Sequence, residues 1–213
     1  MIISHKHKFI FLKTKKTAGT SIEISLSRYC GEEDIITPIA PEDEKVRARL
    51  NLGPQNFMDS NNKQRKFFNH YKATKIKKTI GEDIWNSYYK FSFDRNPWDK
   101  VISQYYFKTG KSKSKISFDE FLQLNKFKSA YNYPIYTIND ELAVDFLGKY
   151  ENLNEELKKV CTLIGIPFDG WLPKAKGNFR KDQRHYGKLY DKKQKELIQQ
   201  YFKKEIDLLG YEF

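Results

Sequence analysis

Phe9-Ile10-Phe11-Leu12-Lys13-Thr14-Lys15-Lys16-Thr17-Ala18-Gly19-Thr20-Ser21 is the stretch on which the reading of this chain turns. Its four leading apolar residues suit a short strand buried on both faces. The sequence then becomes polar and small, and a helical pattern of Ile22, Ile24, Leu26 and Tyr29 follows, stopping at Gly31. Strand, hydroxyl-rich loop and helix start together aim backbone N–H groups at an anion, because a helix N-terminus carries unpaired donors and a partial positive charge. Small residues let a phosphate come close, Lys16 adds a full charge, and Thr17, Thr20 and Ser21 add hydroxyl donors. Taken alone, the stretch also fits an ordinary strand-to-helix turn. It is not a G-x-x-x-x-G-K-[ST] loop, since Lys16 precedes Gly19 and no glycine precedes Lys16 in the loop.

The chain has 213 residues, enough for one sizeable α/β domain over residues 1–213. Sixteen Phe and fourteen Tyr promise a real core. Lys and Arg exceed Asp and Glu by 39 to 27, a net charge of +12, which favours anionic partners. No apolar run reaches membrane-spanning length, and Met1 to Lys6 lacks the apolar centre of a signal peptide, so the expected location is cytoplasmic. Cys30 and Cys161 form no metal or redox motif. His5 and His7 flank Lys6 at the start of the first strand and read as a strand edge, with metal binding the alternative.

Along the chain, the irregular region 32–66 contains Pro38, Pro41 and Pro54 and reads as a candidate acceptor wall. Lys66 to His70 reads as a short strand ending in a histidine. Thr74 to Ile80 reads as a helix capped by Gly81, and Glu82 to Tyr88 as a further helical turn. Tyr89 to Asp94 alternates as a strand does, and Pro97 opens a helix through Tyr106. The basic segment 108–115 reads as a solvated loop or a lip that attracts an anionic acceptor. Tyr131 to Tyr136 reads as an aromatic loop, lining a ring pocket or packing the core. Ala143 to Gly148 reads as a buried strand, Glu155 to Leu163 as a helix, and Lys192 to Leu208 as the last helix. Strands alternating with helices imply an α/β fold: a single P-loop-like domain with a central parallel sheet and helices on both faces.

Phe91 to Tyr105, FSFDRNPWDKVISQY, supplies a second anion site. Arg95 follows a strand C-terminus, where open α/β sheets bind ligands. Its planar fork suits a phosphate dianion, and Ser103 can add a hydrogen bond from the next helix. The pair of stretches resembles the sulfotransferases that use 3′-phosphoadenosine 5′-phosphosulfate (PAPS). Lys16-Thr17-Ala18-Gly19-Thr20-Ser21-Ile22 resembles their P-K-T-A-G-T-S-I loop, with Lys15 in place of Pro. Arg95-Asn96-Pro97-Trp98 through Ser103 and Tyr105 resembles their R-N-P-W-x-x-x-x-S-x-Y, with Asp94 where many carry an apolar residue. Lys149-Tyr150-Glu151-Asn152-Leu153 is similar to R-Y-E-N-L, and Gly210 to Phe213 to the closing segment. The loop resembles the carbohydrate-type branch and not the P-K-S-G-T-T-W branch.

The resemblance implies PAPS as donor, PAP as product, no metal, and a hydroxyl acceptor, a sugar of a glycan or glycolipid by its branch, with small alcohols and tyrosine also open, and no nucleic acid as partner. It implies Lys16 as stabiliser of the leaving phosphate, with Thr17, Ala18, Gly19, Thr20 and Ser21 around the 5′-phosphate and Arg95 and Ser103 at the 3′-phosphate. In the basic loop of Asn178, Arg180, Arg184, His185 and Tyr186, it points to Arg180 and Tyr186 as further nucleotide contacts, a plain solvated loop being the alternative. His70 is the candidate general base, since imidazole titrates near neutrality; a packing histidine is the alternative, and Glu82 the substitute base. Two other classes remain open: a P-loop-type nucleotide kinase or NTPase with Asp94 or Asp145 as magnesium partner, and a non-catalytic basic module that binds glycan or nucleic acid.

Overall fold

A computed structural model describes residues 1–59, 61, 63–110, 116–175, 180, 182 and 184–213. In chain order the elements are β1 (Ile2–Ser4), β2 (Phe9–Phe11), α1 (Gly19–Ser27), β3 (Ile35–Ile36), α2 (Pro41–Ala48), α3 (Ala73–Ile80), α4 (Glu82–Ser87), β4 (Tyr89–Asp94) and α5 (Pro97–Gly110). Then come α6 (Phe118–Gln123), α7 (Tyr133–Tyr136), the hairpin of β5 (Thr137–Ile138) and β6 (Glu141–Leu142), β7 (Phe146–Lys149), α8 (Leu153–Leu163), α9 (Lys192–Tyr201) and α10 (Lys203–Leu209). Single 3₁₀ turns occupy Lys126–Ala130, Tyr150–Asn152 and Tyr186–Lys188.

The central sheet has the order β3-β1-β2-β4-β7. β2, β4 and β7 pair in parallel, while β1 is antiparallel to both β2 and β3. Four strands therefore run one way and β1 runs against them. Only His5 to Lys8 separate β1 from β2, with Lys8 at φ 50°. A connection that short closes a hairpin and cannot make the crossover a parallel pair requires.

The side-chain alternation of the strands fills two layers. Phe9, Phe11, Phe91 and Phe93 pack with Ile22 and Leu26 of α1 and with Leu157, Val160 and Cys161 of α8. Ile3, Ile10 and Leu12 pack on the other face against Ala73 and Ile76 of α3, Trp85 of α4, and Ile135 and Tyr136 of α7. A third cluster beyond the sheet gathers Trp98 and Val101 of α5 with Phe121, Phe127, Ile198 and Phe202. Full burial of one such side chain contributes about 1.5–3 kcal/mol. No helix among the described residues is long and apolar enough to cross a membrane.

Several local expectations are corrected. Lys66 to His70 is not a strand: the amides of Lys66 and Phe67 both donate to Phe57 O, at 2.9 and 3.0 Å, and His70 adopts φ 55° in a turn. The strand expected from Ala143 to Gly148 is β7, shifted to Phe146–Lys149; Ala143 N donates to Tyr136 O instead of to the main sheet. The last helix breaks at the buried Phe202 into α9 and α10. His5 and His7 lie in the β1–β2 turn, with His5 Nδ1 2.7 Å from Tyr88 Oη and His7 Nε2 3.2 Å from Tyr29 O.

Candidate active site

The loop between β2 and α1 is held down along its whole length. Leu12 N donates to Phe91 O at 2.9 Å, Ser92 Oγ to Leu12 O at 2.7 Å, and Thr14 Oγ1 to Phe93 O. Asn132 clamps the next residue from both sides: Lys15 N donates to Asn132 Oδ1 at 2.9 Å, and Asn132 Nδ2 donates to Lys15 O at 3.0 Å. Lys16 and Ala18 then take left-handed φ values of 64° and 56°, which lift the chain into α1. Gly19 opens that helix against the stem of Lys13; a Cβ there would sit 2.8 Å from Lys13 Cγ. The first turn of α1 has no acidic residue and no side-chain cap, so its amide dipoles are left for an anion.

A cavity of about 540 Å³ lies over this loop, in the range that encloses small ligands. Lys15, Lys16, Gly19 and Thr20 line it from the loop, Arg95 and Ser103 from the β4–α5 side, and His70 from the turn before α3. The Lys16 ammonium lies 4.1 Å from the centre of the Phe107 ring. Arg95 lies over Tyr150, its guanidinium carbon 4.2 Å from the ring centre. Its Nε and Nη2 donate to Asp99 Oδ2 at 2.8 and 2.6 Å, and the other oxygen of Asp99 accepts from Arg180 Nη1 at 2.7 Å. One carboxylate thus fixes two guanidinium groups on the cavity wall.

His70 Nδ1 lies 3.0 Å from Lys13 O. Burial first, then the charge of Lys13, pulls its pKa down to about 3. The ring is neutral at ordinary pH and is a weaker base than the free imidazole that the sequence led one to expect.

Two buried ionic groups support the loop. Glu23 of α1 meets the Lys13 ammonium and also accepts from the Met1 α-amino group at 2.8 Å and from Thr37 Oγ1 at 2.9 Å. Burial would raise the Glu23 pKa, but Lys13 and the Met1 amine hold it at about 2. On the other side, Lys100 Nζ lies 2.7 Å from Asp94 Oδ1 and 2.5 Å from Glu205 Oε2, all fully buried. Asp94 also accepts from Asn132 Nδ2 at 2.9 Å and from Tyr136 Oη at 2.9 Å. Burial and Asp94 together hold Glu205 well above the usual carboxylate range. A polar residue at position 94 is accommodated because Lys100 stands six residues on.

The segments after β4, after β7 and at residues 210–213 converge. Glu151 accepts from Asn96 N at 2.8 Å and from Tyr211 Oη at 3.1 Å, and Asn96 Nδ2 donates to Glu212 O at 2.8 Å. Asn96 Oδ1 accepts from Trp98 N at 3.1 Å, fixing the start of α5 and with it Arg95.

Of the expected site residues, Lys16, Ala18, Gly19, Thr20, His70, Arg95, Ser103 and Arg180 share the cavity wall. Three expected contacts lie outside the lining. Thr17 is buried with its hydroxyl 2.8 Å from Thr14 Oγ1; Ser21 is buried and accepts from Ala175 N at 3.4 Å; Tyr186 Oη accepts from Asn96 Nδ2 at 3.0 Å. Glu82 pairs with Lys77 at 3.0 Å, outside the lining. No described residue of 32–66 lines the cavity, nor does any of Tyr131 to Tyr136. The first region packs beyond β1, where β3 pairs with it, and Tyr136 is core. Asn178 and residues 111–115 lie outside the described residues. Lys13, Thr14, Lys15 and Tyr150, quoted in the sequence but given no role there, also line the cavity, as do Gln104, Phe107, Ser129 and Ala175. Phe107 follows Ser103 at i+4 and Gln104 at i+3 on α5, a helical spacing that the sequence did contain.

No solved structure matches this chain. A protein of Archaeoglobus fulgidus described only as uncharacterized is 41% identical over 99 residues, covering 45% of this chain and 82% of that protein. The model of the sulfotransferase family matches residues 1–212. That match takes in the loop at α1, the Arg95 segment and the convergent segments behind them, and the chain belongs to the sulfotransferase family.

Proposed function

We propose that this chain transfers a sulfuryl group from PAPS to a hydroxyl acceptor, a sugar of a glycan or glycolipid being the class that its loop sequence favours. One observation carries the reading: a single cavity joins the α1 N-terminus and Lys16 to Arg95 and Ser103. A donor with a phosphosulfate at one position and a separate 3′-phosphate needs two such anion sites within one space. The residues fit. The first amides of α1 with Lys16 would take the 5′-phosphate, and Arg95 and Ser103, with Arg180 beside them, the 3′-phosphate.

When bound, PAPS supplies a sulfuryl group already activated on a phosphate. The protein contributes position and charge, the main terms in such transfers. His70 Nε2 accepts the proton of the acceptor hydroxyl as its oxygen bonds to sulfur. Lys16 neutralises the phosphate oxygen that keeps the electron pair of the broken S–O bond. The kinase or NTPase reading has less support, because Asp94 is engaged by Lys100, Asn132 and Tyr136, and Asp145 by Lys90 at 2.9 Å.

The test is thermal stabilisation by PAP compared with adenosine 5′-phosphosulfate, which lacks the 3′-phosphate. A charge-assisted phosphate contact is worth about 1.5–3 kcal/mol, so PAP should stabilise far more. Equal stabilisation by the two would remove the assignment of Arg95 and Ser103. PAP release in a panel of glycans, glycolipids and small alcohols then identifies the acceptor.

A further inference from the structure

Lys15 and Lys16 are neighbours with different surroundings. The Lys15 backbone is fixed by Asn132 on both its N–H and its C=O. Its side chain is half-buried in the cavity wall that also holds His70, Gln104 and Ser129. The ammonium of Lys15 makes no hydrogen bond or ion pair among the described residues, whereas Lys16 lies over Phe107 and Lys13 meets Glu23.

The charges that act most on Lys15 are Glu205, Lys100, Lys108 and Lys72. Glu205, the largest of them, favours the charged form of Lys15, and the three lysines oppose it, with Lys72 and Lys108 exposed. Burial pushes the Lys15 pKa below its ordinary value; Glu205 opposes this, and Lys100, Lys108 and Lys72 add to it. A half-buried ammonium with no hydrogen-bonding partner is unfavourable until an anion joins it. The location is on the side of the base: Lys15 is among the charges that act on His70, and Lys72 is two residues from it.

Resting on the sulfotransfer reading, we infer that Lys15 binds an oxyanion carried by the acceptor itself, so that acidic sugars are selected over neutral ones. The oxyanion is a carboxylate or a phosphate held near the hydroxyl that His70 deprotonates. Lys15 is then a specificity-determining residue, distinct from Lys16 in serving the acceptor and not the donor.

The experiment uses the full chain saturated with PAP. The first probe is a uronate-containing tetrasaccharide beside the same molecule with its carboxyls reduced to alcohols. The second is N-acetylglucosamine 1-phosphate beside its methyl glycoside. Whichever acidic probe binds names the source of the oxyanion. At least one should bind about tenfold more tightly than its neutral twin. Lys15→Met should abolish that preference and leave PAP affinity within about twofold, and Lys15→Arg should restore it. Equal or undetectable binding of acidic and neutral twins overturns the inference, as does a preference that survives in Lys15→Met. A loss of PAP affinity in Lys15→Met with the preference intact also overturns it, by assigning Lys15 to the donor. Failure of PAP to bind the unaltered protein overturns the donor reading and this inference with it, and is read before any acceptor is added.

Discussion

His70 Nδ1 sits 3.0 Å from the carbonyl oxygen of Lys13. A carbonyl only accepts, so the ring proton is on Nδ1 and the lone pair is on Nε2. The same bond orients the ring on the loop that carries Lys16. His70→Asn keeps a donor near the Nδ1 position, and asparagine tolerates the left-handed backbone found there. It removes only the lone pair. Turnover should fall by roughly 10²–10⁴-fold while PAP affinity, read by calorimetry, stays nearly constant. Near-full turnover in His70→Asn would make His70 a packing residue.

The low His70 pKa has a kinetic consequence. The acid limb of kcat/KM reports the free enzyme. A histidine base of ordinary pKa would lose about 30-fold between pH 8 and pH 5. With its pKa pulled to about 3 by burial and Lys13, His70 stays unprotonated across that range. The kcat/KM profile should therefore show no limb near pH 6.5, and a limb there would place the proton acceptor elsewhere.

Stability carries the same signature. Between about pH 6.5 and the folded value, the unfolded chain binds a proton at His70 and the folded one does not, so stability falls as pH falls. The Met1 amine, lowered by burial from 8.0 to about 5, acts with the same sign at higher pH. Glu205, held above its ordinary value, acts with the opposite sign, its contribution lost as pH rises. The difference between the unaltered protein and His70→Asn isolates His70. Urea midpoints of the two should follow parallel courses above pH 7 and diverge below 6.5, with the unaltered protein losing more.

Lys13 and Lys16 should separate folding from binding. Lys13 is buried against Glu23, and breaking a buried pair costs about 3–5 kcal/mol. Glu23 keeps the Met1 amine and Thr37, so Lys13→Met should fall at the lower end of that range. Lys16 contributes a cation–π contact worth about 0.5–1 kcal/mol, so Lys16→Ala should fold normally. Its PAP affinity and turnover should drop together, since its charge serves both ground and transition states. Thermal melts beside PAP titrations read both, and a stable Lys13→Met protein would contradict the role given to the Glu23 pair.

What could be read from the sequence was local. The apolar run at Phe9, the alternation of Tyr89 to Asp94 and the Pro97 helix start depend on near neighbours, and the structure has β2, β4 and α5 at those places. The anion loop and the Arg95 segment were legible for the same reason: each is a continuous stretch at a strand end. Less visible was what depends on residues far apart in the chain. Asn132 is 117 positions from Lys15, and Glu205 is 105 from Lys100. Nothing near Asn132 in the chain marks it as the clamp of a loop. The expected strand at Lys66 to His70 failed because an aromatic pair imitates strand composition, while His70 lies in a turn at φ 55° with its ring against the Lys13 carbonyl.

Asn132 gives the most demanding prediction, since it touches neither donor nor acceptor by assignment. Its side chain satisfies Lys15 N, Lys15 O and Asp94 Oδ1 at 2.9, 3.0 and 2.9 Å, and it is fully buried. Its own backbone N–H donates to Glu205 Oε1 at 2.6 Å, so the residue ties the anion loop to the Asp94–Lys100–Glu205 group. Asn132→Ala keeps the backbone bond and strips the other three. Each buried group left unpaired costs about 1–3 kcal/mol, so melting should shift down clearly while the fold persists. The peptide of Lys15 then loses its clamp, and a displacement of 1 Å near reacting atoms costs about 10²-fold in rate. Asn132→Asp is the control: it can still accept from Lys15 N but sets a second carboxylate against Asp94 and a lone pair against Lys15 O. It should be less stable than Asn132→Ala at pH 7 and recover part of that deficit at pH 5, where the new carboxyl takes up a proton. If Asn132→Ala keeps full turnover at a temperature where it is folded, loop geometry is set by the contacts of Thr14 and Leu12 with β4 alone, and the clamp is structural only.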